Sequence, residues 1–186
     1  SLSEVIIQYS SGTEKWVKNY SFDTFWDFIA SALPYDDTLY CVYQTKDDEK
    51  SLYSCVVVEH IQIKTEHKTN GKWDIFGIHK NEKTNQDVLD FEIKLSNSIT
   101  FPTSLGRTFK NLQVVRINAK IRNLDLSTMK ELTNLEEIYL SNNNIHSIAS
   151  NMFMYNKKLR VIDVKNNPIK FIGIATFYYP QNLTYL

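Results

Sequence analysis

The chain has 186 residues, 21 basic and 21 acidic, so its formal net charge is zero. Its composition, 42% hydrophobic and 13% aromatic, supplies a core for one domain or one and a fraction, which excludes a wholly disordered chain. No apolar run nears the ~18–20 residues a spanning helix needs, no GxGxxG or GxxxxGK(S/T) loop occurs among the five glycines, and neutrality argues against a non-specific nucleic-acid coat.

The chain opens at Ser1 with no charged and apolar leader. The expectation is a removed signal peptide or a start partway into a longer protein. Residues 1–58 hold 4 basic and 9 acidic groups, leaving a surplus of positive charge in the rest, a split that fits two segments of different origin. Ser1–Ile7 reads as a strand. Phe25, Trp26, Phe28 and Ile29 sit on an amphipathic helix that ends near Leu33-Pro34, because the residue before proline leaves helical geometry. Asp36–Tyr43 returns as a strand, and Lys50–Val58 follows as its hairpin partner. A hairpin of Thr38–Gln44 with Leu52–Val58, centred on Asp48, sets Cys41 opposite Cys55 and Tyr43 opposite Tyr53, within disulfide reach. Two buried free thiols are the other reading.

This β-α-β-β order, with Phe25-Trp26-Asp27-Phe28, Leu33-Pro34-Tyr35-Asp36-Asp37 and Tyr40-Cys41-Val42-Tyr43, resembles the middle of an actin-depolymerising factor/cofilin domain. The likeness covers less than half of such a domain, without its opening helix or the long basic helix laid on actin. It implies a fold for this piece. It also implies an alternative function, a cytoplasmic actin-binding protein with a repeat scaffold.

Val56-Val57-Val58 with Ile61 and Ile63 reads as a strand, and Trp73–Ile78 as another, joined by the polar stretch Lys64–Lys72 with its Asn70-Gly71 turn. Phe91, Ile93 and Leu95, then Ile99 and Phe101, form a degenerate strand and turn.

From there the sequence repeats. Leu135, Ile138, Leu140, Asn143, Ile145, Ile148 and Phe153 recur 24 residues later as Leu159, Ile162, Val164, Asn167, Ile169, Ile172 and Phe177. Leu183 and Leu186 begin a further copy, and Leu112, Val115 and Ile117 an earlier one that lacks the asparagine and has a shorter turn. This is the LxxLxLxxNxL pattern, and the chain resembles a leucine-rich repeat protein. The LxxLxL part makes a short strand with alternate residues inward, and the asparagine amide satisfies backbone groups where the chain turns out of it. The resemblance implies an α/β leucine-rich repeat solenoid of short parallel strands with a β-rich N-terminal cap and a small N-terminal β-α-β-β segment. Its expected divisions are 1–52, 53–111 and 112–186, with the repeats truncated at the C-terminus. The strand Tyr53-Ser54-Cys55-Val56-Val57-Val58, the stretch Ile93–Ser98 and the entry Phe109-Lys110-Asn111-Leu112 resemble the cap of secreted arthropod leucine-rich repeat proteins.

No catalytic, cofactor or metal motif emerges. Glu59-His60 and Glu66-His67 stand seven apart, where a helical metal pair needs four, and read as solvated. Asp47-Asp48-Glu49 lacks an EF-hand's length and glycine. The expectation is a protein that is not an enzyme and uses no cofactor. Outward strand positions instead stack in columns: Val114, Glu137, Val161 and Tyr185; then Arg116, Tyr139 and Asp163; then Asn118, Ser141 and Lys165. Tyrosine and arginine are common binding anchors, and the mixed signs suit a protein partner better than a nucleic acid. Asn19-Tyr20-Ser21 and Asn182-Leu183-Thr184 are glycan acceptor sequences if the chain is secreted. The expected function is protein binding through the concave strand face, extracellular, with innate immunity implied by the arthropod resemblance.

Overall fold

The computed structural model describes residues 38–57, 73–96, 98–124 and 126–186, with the backbone strands β1 (Val5–Tyr9) and β2 (Glu14–Val17) before them. The helix expected around Phe25–Ile29, the Lys64–Lys72 link, Ile61, Ile63, His60, His67 and Asn19 lie outside the described residues.

Aromatic and β-branched runs make β3 (Thr38–Thr45), β4 (Tyr53–Val57) and β5 (Asp74–Ile78). The β3–β4 turn closes through Lys46 N–H to the Leu52 carbonyl at 3.0 Å. Within it Asp48 Oδ1 accepts the N–H groups of Lys50 (3.1 Å) and Ser51 (3.0 Å), and Ser51 takes a left-handed φ of 47°. Asp48 thus caps the turn from its N-terminal side instead of sitting at its centre. The hairpin is centred one residue later than the sequence predicts, and every pairing moves by two: Cys41 faces Val57, Tyr43 faces Cys55, and Thr45 faces Tyr53. Cys41 and Cys55 become diagonal neighbours on one face, 5.1 Å apart at Cα, and they are disulfide-bonded. This bond and the hairpin both cross the expected 52/53 division. Gly77 of β5 lies against them, where a Cβ would collide with the Cys41 carbonyl and the Tyr43 ring.

β6 (Asp90–Lys94), β7 (Val114–Asn118), β8 (Glu137–Tyr139) and β10 (Val161–Asp163) are the repeat strands. They join one nine-stranded sheet of order β10-β8-β7-β6-β4-β3-β5-β1-β2. From β4 to β10 every neighbour is parallel, and β4 hands over to β3 antiparallel. Parallel neighbours cannot be joined by a hairpin, so each step needs a crossover through the rest of a repeat. On that crossover lie single helical turns, α1 (Leu105–Thr108) and α2 (Leu126–Met129), and a second parallel pair, β9 (Ser147–Ile148) with β11 (Phe171–Ile172). A mostly strand-built chain with a parallel sheet and few helical residues is an α/β repeat fold.

The inward residues follow the sequence pattern. Leu112, Leu135 and Leu159, Val115, Ile138 and Ile162, and Ile121, Ile145 and Phe153 are buried in one continuous core that runs back to Leu39, Cys55 and Ile75. Each such side chain contributes about 1.5–3 kcal/mol by leaving water. The asparagines act as the spacing predicts. Asn143 Oδ1 accepts from Ala119 N (3.0 Å) and Ile121 N (3.1 Å), while its Nδ2 donates to the carbonyls of Ile117 (2.6 Å) and Leu140 (2.8 Å). Asn167 repeats this one step on, accepting from Ile145 N and donating to the Leu140 and Val164 carbonyls. Asn143 thereby supplies the repeat before it, which has no asparagine of its own. Asn156 does related work at the back of the fold, donating to the Met129 (3.0 Å) and Leu132 (2.7 Å) carbonyls.

Asn143→Ala strips a partner from two N–H groups and the Ile117 carbonyl in the interior, while Asn167 still serves the Leu140 carbonyl, and lowers the free energy of unfolding by about 3 kcal/mol or more. Asn134→Ala, whose bonds to the Lys110 carbonyl and from Lys158 Nζ are both exposed, costs about 1 kcal/mol or less. Urea denaturation of the two variants checks the contrast.

Candidate functional face

Strand register lines up the outward residues as the sequence predicts. Val114, Glu137, Val161 and Tyr185 are successive partners, and so are Arg116, Tyr139 and Asp163. The sheet extends both rows toward the N-terminus. Ser54 and Asp90 precede Val114, and Val56 and Glu92 precede Arg116. Asn118, of the third column, pairs with Lys94.

The rows are not uniformly solvated. Val114 and Glu137, expected as outward contact positions, are buried, as are Ser54 and Asp90. The cover is the β3–β4 turn, which folds across this end of the face. Its Lys46 reaches Asp90 Oδ2 at 2.7 Å and also binds Glu92. Its Lys50 reaches farther and binds Glu137 Oε2. Arg116 pairs with Asp90 from the other side, and Ser54 Oγ donates to Asp90 Oδ2 at 2.8 Å. Glu137 is likewise held twice, by Lys50 and by Arg160, and accepts from Tyr139 OH at 3.1 Å. The Arg116 guanidinium lies 5.3 Å from the centre of the Tyr139 ring, within cation–π range.

These contacts set the protonation of Glu137. Burial works to raise its carboxyl pKa, but the hydrogen bonds from Lys50 and Tyr139 and the charges of Lys50 and Arg160 outweigh it. The net direction is below the ordinary glutamate value. Tyr139 moves up, first by burial and then by its bond to the Glu137 carboxylate, and stays protonated.

What remains open is the C-terminal part of the face. Arg116, Asn118, Tyr139, Ser141, Val161 and Asp163 are half-buried, while Lys165 and Tyr185 are exposed. Lys165 lies over the Tyr185 ring, 4.7 Å from its centre. Asp163 Oδ1 accepts the Lys165 N–H at 3.0 Å.

A second cluster that sequence reasoning missed stands on the hairpin's other side. The His79 ring stacks on Tyr43 at 3.7 Å between centres. Its Nδ1 meets Tyr53 OH at 3.1 Å and its Nε2 meets Asn85 Oδ1 at 2.9 Å, which also accepts from Tyr43 OH. Burial holds the His79 pKa below its ordinary value. The cluster ties the hairpin to the segment after β5. Among the described residues no group of His, Cys, Asp and Glu has the arrangement of a metal site. No described helix is long and apolar enough to cross a membrane.

The sequence model of the leucine rich repeat family matches residues 107–169, about a third of the chain. The match supports a leucine-rich repeat protein. Such repeats generally mediate binding between proteins and are typically non-catalytic. No curated protein matches the chain. The match does not reach residues 1–58, so the likeness to an actin-depolymerising factor domain gains nothing from it.

The pKa directions fix the acid response. The His79 pKa is depressed in the fold, so its contribution is present above the unfolded value of 6.5 and is lost as pH falls through the folded value. The same sign holds for Glu137, whose contribution is present above 4.5 and is lost as pH falls through its depressed folded value. Stability followed by thermal melting therefore declines in two stages on acidification, and Glu137→Gln shrinks the lower stage, which it shares with the depressed Asp87, while leaving the upper.

Proposed function

We propose that this protein is a non-catalytic recognition module that binds another protein through the outward, concave strand face of a leucine-rich repeat solenoid. The observation that carries the reading is the registered row Arg116–Tyr139–Asp163 with Lys165 and Tyr185 beside it. These are large, polar-tipped side chains fixed on rigid strands and already oriented by one another. Pre-positioned anchors lose little freedom on binding, and tyrosine and arginine are the residues such interfaces rely on most. The β3–β4 hairpin closes the N-terminal end of the face, so the partner sits over strands β7 to β10, with Val114 and Glu137 acting as support beneath the contact surface.

The setting we propose is extracellular, with innate immunity as the role. The Cys41–Cys55 disulfide supports an oxidising compartment. Asn182 is exposed within its acceptor sequence, as glycan addition requires, and Asn19 begins a second such sequence. The resemblance of residues 53–111 to the caps of secreted arthropod repeat proteins supports the immune role.

The face assignment is tested by immobilising the chain and an Arg116→Ala/Tyr139→Ala variant side by side and passing extracellular fluid over both. A protein retained by the parent chain is held at least about tenfold less by the double variant. Equal retention would place the contact surface elsewhere.

A further inference from the structure

The turns leaving β6, β7, β8 and β10 emerge along one rim of the sheet, and their outward positions stack by the same step as the strands. Lys94 pairs with Asn118 at the start of this rim, and Lys165 occupies the equivalent place beyond β10. Next on these turns come Lys120 after β7 and the stacked pair Asn142 and Asn166, all three with a left-handed backbone, φ being 48°, 58° and 54°. Asn166 Nδ2 donates to Asn142 Oδ1 at 2.9 Å. The outermost column is Arg122, His146 and Lys170, with the Lys170 N–H donating to the His146 carbonyl at 2.8 Å.

The rim therefore carries five lysine or arginine side chains on three of four successive turns, with His146 on the β8 turn between them, all exposed. None of the five is in an ion pair among the described residues. The nearest strand carboxylates are already engaged: Glu92 by Lys46, and Asp163 by the Lys165 N–H. Asp125, three residues past Arg122, lies outside the described residues. Asp90, Glu92 and Glu137 are thus drawn to Lys46, Lys50, Arg116 and Arg160, and the lysines and arginines of the rim are left without a paired carboxylate among the described residues.

We propose that this rim is a docking surface for an extended acidic peptide segment of a partner protein. At ~4.8 Å between parallel strands the four turns span about 15 Å, the length of four or five extended residues. The amides of Asn142 and Asn166 between the cations offer donors and acceptors suited to a peptide backbone. A nucleic acid is disfavoured by the zero net charge of the chain and by the lack of a phenylalanine, tyrosine or tryptophan in the three columns on which a base could stack. The rim borders the face proposed above along Asn118, Ser141 and Lys165, but it stands on its own charge pattern.

The probe is a fluorescein-labelled deca-glutamate peptide titrated into the whole chain at low salt and followed by anisotropy. Saturable binding is expected, weakened at least about tenfold by Lys120→Glu with Lys170→Glu and similarly by raising salt from about 50 to about 300 mM. Lys120→Asn with Lys170→Gln, which installs at 120 the residue the next two turns carry, gives an intermediate loss and guards against misfolding. Lys110→Glu with Lys157→Glu, an equal charge change on the opposite rim, leaves binding within about twofold. Arg116→Ala/Tyr139→Ala also leaves it intact, which separates this surface from the strand face. Absence of binding, equal loss in the two charge-reversed pairs, or tighter binding of a single-stranded DNA ten-mer or a heparin oligosaccharide would overturn the proposal.

Discussion

Two carboxylates, Asp90 and Glu137, lie buried on the outward side of the sheet, and everything else on that face depends on how they are neutralised. Taking a carboxylate out of water costs several kcal/mol unless cations and hydrogen bonds compensate. The compensation arrives from two directions. Arg116 and Arg160 come from the repeats themselves, and Lys46 and Lys50 come from a hairpin tip far earlier in the chain. The clamp decides which part of the face water and partners reach. It also joins the non-repeating N-terminal strands to the repeats by side chains as well as by the continuous sheet.

The same arrangement explains the charge asymmetry of the chain. Residues 1–58 are acidic as a segment, yet the two lysines in their hairpin turn face inward onto carboxylates of the repeats. The acidic side chains between them, Asp47, Asp48 and Glu49, stay exposed. Pairing across the boundary engages Asp90, Glu92 and Glu137. The lysines and arginines of the outer turns are left without counterparts, which is how a chain of zero net charge presents a basic rim.

Much of this fold was legible in the sequence because it is periodic. The 24-residue step from Leu135 to Leu159 specifies strand, inward face and asparagine position together, and Asn143 and Asn167 form the bonds their spacing requires. The outward columns were legible for the same reason, and the step taken backward from Val114 and Arg116 would also have reached Asp90 and Glu92. The hairpin register was not legible to the residue. An aspartate that accepts two N–H groups moves the centre of a turn by one position, and polar composition does not encode which aspartate does so. Least legible was the Lys50–Glu137 contact. It joins residues 87 apart with no shared period, so Glu137 read as a contact residue when it is support for one.

The contact between Lys50 and Glu137 is where the account is most exposed. A double-mutant cycle with Lys50→Met, Glu137→Gln and the pair, read by urea unfolding, isolates their interaction from the separate effects of each change. A clamp predicts a favourable coupling energy of about 1–2 kcal/mol, because the exposed Lys50 ammonium reaches a buried carboxylate that Arg160 alone would hold less well. Additivity within about 0.5 kcal/mol would mean that the hairpin tip does not rest on the repeat face, and would contradict the account.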